Sequence, residues 1–432
     1  CRRGFARRPA GLYDQSPPGA IVPSGNLAMP PEPAHTSPAP LWRVLAITFL
    51  LSVGTGSVTQ GLYFIADATG QFDRPALYLL GVVMGAVYIP AALAAGPVLR
   101  RIESKSARLT PRAMLAGMIS LGGIAALIPP IVARTAADPA PTIWITAVVY
   151  SISTGLMWPI VEWYLSGGRK HAALRSATGK FNITWTGAIV VCFWLLYLFL
   201  DRAPLDVLGL LALLHVAGRI VVLGLPERPA PPLDRHDPHP PVYDQMLPVA
   251  RRLLPISYLL MSALSPYLVG ALGQLGIELK WQPVLASIWL VARVAAMTTL
   301  ERWHGWHQSW ATHITGATLL ALGFAGCVLA PAADSLPLML VSLAVFGVAM
   351  GIIYTAALYY ALEVGGHSAD AGGTHEALIG IGYTAGPAIG FAAALSVAAG
   401  ILPDNAFSLA FVIAAVAASS VGYALSGRNR AE

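Results

Sequence analysis

Ionisable side chains inside apolar stretches are the residues of this sequence most able to do chemistry. Arg293 lies within the apolar stretch 281–300, and His375 and Glu376 stand where another apolar stretch, 376–401, begins. A charge surrounded by apolar groups is costly, so such residues usually have a partner or face an aqueous cavity. We therefore expect Arg293 to face the protein interior, where Glu376 is one candidate partner. We expect His375 and Glu376 to form cytoplasmic gate pairs or to carry protons, and so to belong to the binding or coupling machinery. The alternative is that they are solvated helix ends, a position that the helix dipole favours for Glu376.

The elements that must position these residues are membrane-spanning helices. Of the 432 residues, 56% are hydrophobic and only 11% are charged, against about 25% charged residues in a soluble domain. A helix needs about 20 apolar residues to cross the hydrocarbon core. Twelve stretches meet this requirement and predict an all-α integral membrane protein: 42–66, 76–99, 113–133, 142–165, 180–200, 204–225, 253–275, 281–300, 311–331, 336–362, 376–401 and 406–426.

One long polar connection divides the twelve spans into six and six. Residues 226–250 are rich in proline and charge, which is typical of an extended linker. The first forty residues are rich in Pro, Gly, Ser and Arg and are expected to be disordered. The predicted organisation is therefore a tail at 1–40, a first half at 41–225, the linker at 226–250, a second half at 251–427 and a short tail at 428–432.

The basic residues are distributed unequally between the two sides of the predicted bundle. Most Lys and Arg residues, including those of both tails and of the linker, fall on one side, which the positive-inside rule assigns to the cytoplasm. This bias predicts a multi-pass protein of the cell (inner) membrane with both termini in the cytoplasm, and it explains the net charge of +6 without a nucleic-acid partner. The other side carries only Arg74, Arg134, Arg202 and Lys280.

The two halves also resemble each other in sequence. The fourth span contains Gly155-Leu-Met-Trp158 and the tenth contains Gly351-Ile-Ile-Tyr354, close to half the chain length later. The helices that follow begin with Gly179-Lys-Phe-Asn182 and Gly373-Thr-His-Glu376 at a similar offset. We interpret this as an internal duplication into two pseudo-symmetric halves, an arrangement found in transporters.

This layout resembles the major facilitator superfamily (MFS) over about residues 42–426. In that family the loop after the second helix carries a Gly, an Asp and basic residues, and here the matching stretch is Gly96-Pro97-Val98-Leu99-Arg100-Arg101. Arg100 occupies the Asp position, so Glu162 is the candidate for the missing carboxylate of this cytoplasmic gating loop. The eleventh span holds a second match, Gly382, Gly386-Pro387 and Gly390, whose small residues allow close helix packing.

The resemblance also implies which helices line a central cavity. In the family these are the first, fourth, seventh and tenth, and the fifth and eleventh spans add further polar groups. Amides, hydroxyls and aromatic rings with few charges suit a neutral or amphipathic organic solute, although the same residue types also pack ordinary membrane bundles. The candidate substrate-binding or coupling residues are Gln60, Trp158, Asn182, Trp185, Gln274, Arg293, Tyr354, His375 and Glu376.

The sequence therefore indicates a secondary active transporter that moves a small organic solute by alternating access, with a proton as the candidate coupling ion. No phosphate-binding loop, paired-His metal helix or nucleophile elbow occurs, so we expect no enzyme activity, cofactor or metal site. We expect a monomer in the lipid bilayer. A membrane-embedded enzyme using His304, His307 and Glu301, or His375 and Glu376, remains the alternative, as does a transporter-like solute sensor.

Overall fold

Every regular element in the described part of the chain is helical. The structure is a computed structural model that describes residues 37–106, 109–135, 138–231, 240–365 and 368–403, together with residues 414, 419 and 422. A single 3-10 turn at His304–Trp306 joins two of the helices. The helices are α1 (Leu41–Thr59), α2 (Leu62–Ala68), α3 (Arg74–Lys105), α4 (Pro111–Val132), α5 (Ala140–Ser166), α6 (His171–Phe199), α7 (Asp206–Val222), α8 (Val242–Gln274), α9 (Trp281–Ala286), α10 (Ile288–Arg302), α11 (Trp310–Leu329), α12 (Leu336–Gly365) and α13 (Ala369–Ala398).

The helices confirm the predicted membrane-spanning architecture. Ten stretches within the described residues are long and apolar enough to cross a membrane, with α9 and α10 together forming one of them. Helix α7 corresponds to the predicted span 204–225 and has 17 residues. The last predicted span, 406–426, falls almost entirely outside the described residues.

Local sequence determines where several of these helices begin. The Asp73 carboxylate accepts a hydrogen bond from the Ala76 backbone N–H at 2.8 Å, and Pro75 follows in the first turn of α3. Ser368 caps α13 in the same way, through the N–H of Ala371 at 3.2 Å. Such side chains satisfy amide groups that the helix leaves unpaired, and proline lacks the N–H that would need a partner there.

The linker is shorter than its composition predicts. Helix α8 begins at Val242, so residues 242–250 are helical and the prediction of a polar linker over 226–250 is wrong for its last part. The proline and charge content of the stretch indicated a loop, although the stretch also contains apolar residues, such as Met246 and Val249, that are buried on one face of α8. Helical side chains three or four positions apart share one face, so this stripe packs against the bundle.

The packing of the helices repeats between the two halves. We call residues 41–225 the N-half and residues 242–403 the C-half. In the N-half α5 packs on α3 and α4, and in the C-half α12 packs on α10 and α11 in the same relation. The packing of α1 on α6 recurs as the packing of α8 on α13. This correspondence confirms two pseudo-symmetric halves in the described residues and pairs the fourth span with the tenth and the fifth with the eleventh.

Three helix pairs make the most extensive contacts between the halves among the described residues: α3 with α13, α6 with α10 and α5 with α13. Glycines allow the first pair to approach closely, since a Cβ added to Gly373 would lie 2.5 Å from the Ala92 carbonyl oxygen. The predicted glycine motif of α13 serves the same purpose on two sides: a Cβ at Gly386 would meet the Leu259 carbonyl of α8, and one at Gly390 would meet the Tyr78 ring of α3. Without these glycines the backbones could not lie so near one another.

Helices on the outside of the bundle present apolar side chains outward. On α7, Leu213, Val216 and Ile220 are 67%, 59% and 65% exposed and lie along one helix face. An exposed apolar stripe of this kind is expected on a helix whose outer side contacts hydrocarbon. The polar groups of the protein are therefore concentrated inside the bundle, where they form the candidate site.

Candidate functional site

A cavity lies between the two halves, inside the helix bundle. It contains about 480 Å³ of space that no protein atom occupies, and both halves contribute to its wall. The wall is mainly aromatic, with three hydroxyl side chains of α1 and one carboxyl group of α13. Its residues are Ser52, Thr55, Thr59, Tyr88, Trp158, Phe181, Trp185, Ile189, Tyr258, Tyr354, Glu376, Ile379 and Tyr383.

Four of the candidate residues from the sequence line this cavity: Trp158 on α5, Trp185 on α6, Tyr354 on α12 and Glu376 on α13. The internal repeat accounts for two of them, because Trp158 and Tyr354 occupy equivalent positions of α5 and α12. The Trp185 and Tyr354 rings contact each other across the boundary between the halves, with centroids 5.0 Å apart. One aromatic surface therefore spans both halves.

Two further candidates lie buried close to the wall. Asn182 is fully buried one turn before Trp185, and neither of its amide atoms has a hydrogen-bond partner among the described residues. The His375 ring packs edge-on against Tyr354 with a centroid distance of 5.7 Å, and its Nε2 atom likewise lacks a partner in the described part of the chain. Unpaired buried polar groups cost free energy, so they are usually functional or hydrated.

Arg293 lies behind the aromatic wall and is fully buried. Its Nη2 atom donates a hydrogen bond to the Tyr258 hydroxyl at 3.3 Å. Its guanidinium lies 4.3 Å from the Trp185 ring centroid and 4.9 Å from that of Tyr354. Trp289 on the same helix contributes a more distant ring at 5.9 Å. The structure shows no ion pair between Arg293 and Glu376, so the pairing that the sequence suggested as one option is wrong.

Two predicted residues lie away from the cavity. Gln274 is exposed at the end of α8 and is not part of the cavity wall. Gln60 is buried at the break between α1 and α2, where its Nε2 atom contacts the Met261 sulfur at 3.4 Å. Gly61 follows, and its N–H reaches back to the Gly56 carbonyl at 2.8 Å, which ends α1 and turns Gln60 towards α8. Neither side chain is positioned to bind a ligand in the cavity.

Three acidic or phenolic groups from different helices meet at the base of the cavity. The Tyr88 hydroxyl of α3 donates a hydrogen bond to Glu376. The carboxyl group of Glu162 on α5 lies close to α13, since a Cβ added to Gly372 would lie 2.8 Å from Glu162 Oε2. Both Glu162 oxygens are buried and accept no hydrogen bond from a described donor.

The acidic partner of the predicted gating loop is Asp370. Arg100 forms an ion pair with Asp370 of the C-half at 2.5 Å, and Gly96 lies directly beside the same carboxylate. The hypothesis that Glu162 supplies this carboxylate is therefore wrong. Glu162 faces Glu376 instead, deeper in the bundle. Arg101, the other basic residue of the loop, is exposed.

The cavity is closed at both ends by contacts between the halves. We call the end where α3 stops and α8 begins the linker face, and the opposite end the far face. On the linker face Arg100 meets Asp370, and His171 meets Glu363 at 3.2 Å. The far face is closed by the contacts between Trp194 and Ser287 (3.1 Å), Tyr197 and Trp281 (ring centroids 4.5 Å) and Lys280 and Asp201 (3.5 Å). The two halves therefore contact each other at both ends of the bundle.

Sequence reasoning missed several residues of this site, notably Tyr88, Tyr258 and Asp370. Tyr88 could have been found, because Tyr88, Ala92 and Gly96 follow at four-residue intervals and share one face of α3. Two small residues on that face indicate a close helix contact, and a tyrosine in line with them would lie at the same interface. Nothing in the sequence indicates that this partner helix is α13.

Comparison with known proteins supports the fold. Neither a family model nor a curated protein matches the sequence. The structure resembles that of the nucleoside transporter NupG (TM-score 0.59, 15% identity, covering 89% of this chain and 98% of that one). It also resembles the human organic anion transporter MFSD10 (TM-score 0.58, 15% identity, 89% and 96% covered) and a POT family transporter in complex with a thioalcohol-conjugated peptide (TM-score 0.64, 13% identity, 90% and 96% covered). The chain thus has the fold of MFS transporters over most of its length.

Proposed function

We propose that this protein is a secondary active transporter of the MFS type that moves a small organic solute by alternating access. The observation that carries the proposal is the central cavity, which both halves line and which contacts between the halves close at each end. A site of this kind can open to either side when the halves tilt relative to one another. The structural likeness to transporters supports the same conclusion.

The carboxyl pair is the candidate site for the coupling proton. Glu162 belongs to the N-half and Glu376 to the C-half, so a proton shared between them links the halves directly. Two carboxylates that face each other in a buried site repel, and separating the halves relieves that repulsion. Loss of the proton therefore favours opening of the linker face.

The distribution of basic residues supports an orientation with the linker face towards the cytoplasm. The proposed setting is the inner membrane, with both termini in the cytoplasm and the protein acting as a monomer. The start of the linker is anchored on the N-half, where the Tyr164 hydroxyl donates to the Pro226 carbonyl at 2.8 Å and Arg112 forms an ion pair with Glu227 at 3.0 Å.

The alternative of a membrane-embedded enzyme fits the geometry less well. His307, one of its candidate residues, stacks on Trp306 with ring centroids 4.0 Å apart. Its burial, with the charges of Arg175 and His304 adding to the effect, lowers the pKa of His307 to about 4. The imidazole is therefore neutral at pH 7 and packs as an aromatic ring. Glu301 lies against Gly179 of the N-half.

The test is solute movement by purified protein in proteoliposomes. Solutes that raise the melting temperature would first be selected from a library of sugars, nucleosides, amino acids and organic acids. We expect at least one of them to enter liposomes faster with the protein than without it, and to accumulate when a pH gradient is imposed. Binding without movement would indicate a sensor, and chemical conversion of the solute would indicate an enzyme; either result rejects the proposal.

A further inference from the structure

We propose that Arg293 binds an anionic group of the solute, a carboxylate or a comparable oxyanion, at the aromatic end of the central cavity. The inference rests on the proposed function, since it assigns the chemical class of the solute to the cavity already described. It narrows the expectation of a neutral or amphipathic organic solute that the sequence favoured.

Arg293 carries a charge that no acidic residue in the described part of the chain balances with an ion pair. A guanidinium stays protonated in proteins, and this one is fully buried. Its one hydrogen bond goes to the neutral Tyr258 hydroxyl, while Nε and Nη1 have no partner among the described residues. A buried charge is normally retained only with a counter-ion or hydrogen bonds to its polar atoms. Both are incomplete here, so the site has room for an anion.

The aromatic rings around Arg293 hold the cation without neutralising it. The faces of Trp185 and Tyr354 attract the guanidinium, but a ring carries no net charge. The positive potential therefore extends to the cavity, because Trp185, Tyr258 and Tyr354 form its wall.

Two more donors lie beside the same part of the wall. The indole N–H of Trp185 is buried without a partner within the described residues, and the amide of Asn182 is equally unsatisfied one turn earlier on α6. An oxyanion offers several acceptor sites and can take bonds from more than one donor. An anionic group at this end of the cavity would thus offer acceptors to the donors of Trp185, Asn182 and Arg293 that lack partners among the described residues.

The other charged group of the cavity does not compete for Arg293. Glu376 is occupied by the Tyr88 hydroxyl and faces Glu162, and the structure shows no ion pair between Glu376 and Arg293. The cavity therefore has a cationic end and a separate carboxyl end. The wall of the cavity is mainly aromatic, so a single-ring carboxylate is a suitable probe.

The test compares carboxylates with the uncharged amides of the same shape. Benzoate and benzamide, phenylacetate and phenylacetamide, and indole-3-acetate and indole-3-acetamide would be titrated at pH 7.5 while the melting temperature of the purified protein is recorded. We expect at least one carboxylate to stabilise the protein with an affinity at least about tenfold above that of its amide, which is the usual loss when a charged hydrogen bond is removed.

Variants then show whether Arg293 is responsible for this preference. Arg293→Gln should abolish it, Arg293→Lys should keep part of it, and Trp185→Phe should weaken carboxylate binding several-fold by removing one donor. Arg219→Gln is the control, because Arg219 bonds Ser120 on the neighbouring α4 and is not part of the cavity wall. The melting temperature of each variant without solute shows whether it is folded. If Arg293→Gln is unstable, Arg293→Lys still tests the role of the guanidinium.

The proposal is overturned if amides stabilise the protein as well as carboxylates do, if the preference survives Arg293→Gln, or if no member of any pair stabilises. Uptake into proteoliposomes separates this result from the proposed function. A carboxylate that binds through Arg293 but never crosses would reject transport and leave the anion site intact. A neutral solute carried equally by Arg293→Gln and wild type would reject the anion site and leave transport intact.

Discussion

The linker face and the far face of the cavity are closed by different chemistry. On the linker face, acidic side chains of the C-half meet basic or phenolic groups of the N-half. The far face relies on aromatic stacking, tight packing such as that of Gly81 against the Pro387 ring, and one ion pair. The three linker-face contacts of acidic residues are Asp370 with Arg100, Glu363 with His171, and Glu376 with Tyr88.

This difference determines what can open each face. Protonation changes the charge of an acid and can make or break its contact, whereas it leaves ring stacking and glycine packing unchanged. The far-face ion pair is also insensitive near neutral pH, because the hydrogen bond and the charge of Glu278 raise the pKa of Lys280. The lysine thus stays charged below that raised pKa. We therefore expect opening of the linker face to depend on pH. Opening of the far face, and the α3–α13 contact, should depend instead on the size of the side chains that pack there.

The largest expected effect belongs to Glu376→Gln. Glutamine imitates the protonated carboxyl group, so the variant should lose the pH dependence of uptake, and uptake driven by a pH gradient should fall by about tenfold or more, the effect of a 1.4 kcal/mol shift. The measurement is the initial rate of uptake into proteoliposomes between pH 5.5 and 8. Asp138→Asn, an exposed loop acid, is the control. An unchanged pH profile would remove Glu376 from the mechanism.

A smaller effect is expected from Gly373→Ala in the contact between α3 and α13. The added methyl group would lie 2.5 Å from the Ala92 carbonyl oxygen, so the helices must separate. Overpacking of this kind costs about 1–3 kcal/mol, and we expect a lower melting temperature with uptake reduced several-fold.

The matched control for this variant is Gly117→Ala on α4, where nothing lies within 4 Å of the new methyl group. This change should leave uptake intact and can stabilise the helix by about 0.5–1 kcal/mol. Equal melting temperatures and equal rates for the two variants would show that close packing of the halves is unimportant.

Charge reversal at the linker face should have a moderate effect. Arg100 and Asp370 are largely exposed, and exposed pairs contribute about 0–1 kcal/mol. Asp370→Arg should therefore change the initial uptake rate by no more than about fivefold, and the additional change Arg100→Asp should restore it. A double variant that is worse than the single one would mean that the pair does not act as a latch.

The smallest effect is expected at the far face from Lys280→Gln. This substitution removes an exposed pair with Asp201 while the neighbouring contact of Trp281 with Tyr197 remains. We expect the uptake rate to change by less than about twofold, since exposed pairs contribute little, and the pH profile to stay as in wild type. A shifted profile would contradict the division of chemistry between the two faces.

The sequence predicts the helices better than it predicts their contacts. Long apolar runs have few alternatives in a bilayer, which is why each span predicted before residue 400 has a matching helix or pair of helices. Helices α6, α8 and α13 nevertheless begin seven to eleven residues before their predicted spans, because polar residues form their first turns. The sequence correctly predicts that Arg293 lies inside the bundle, because a charged side chain exposed to hydrocarbon is energetically costly. Its aromatic surroundings could not be predicted, because Trp185, Tyr258 and Tyr354 come from three helices that only tertiary packing brings together. For the same reason Asp370, and not Glu162, was found beside Arg100.

Cross-linking of each face, one at a time, tests the alternating-access account most directly. Cysteines would replace Arg100 and Asp370 on the linker face, or Asp201 and Lys280 on the far face, and a short bismaleimide or a cleavable disulfide reagent would join them. The two native cysteines in the described residues, Cys192 and Cys327, are buried and leave little background. The account predicts that locking either face stops uptake and that cleaving the link restores it. Continued uptake with either face locked would contradict the account.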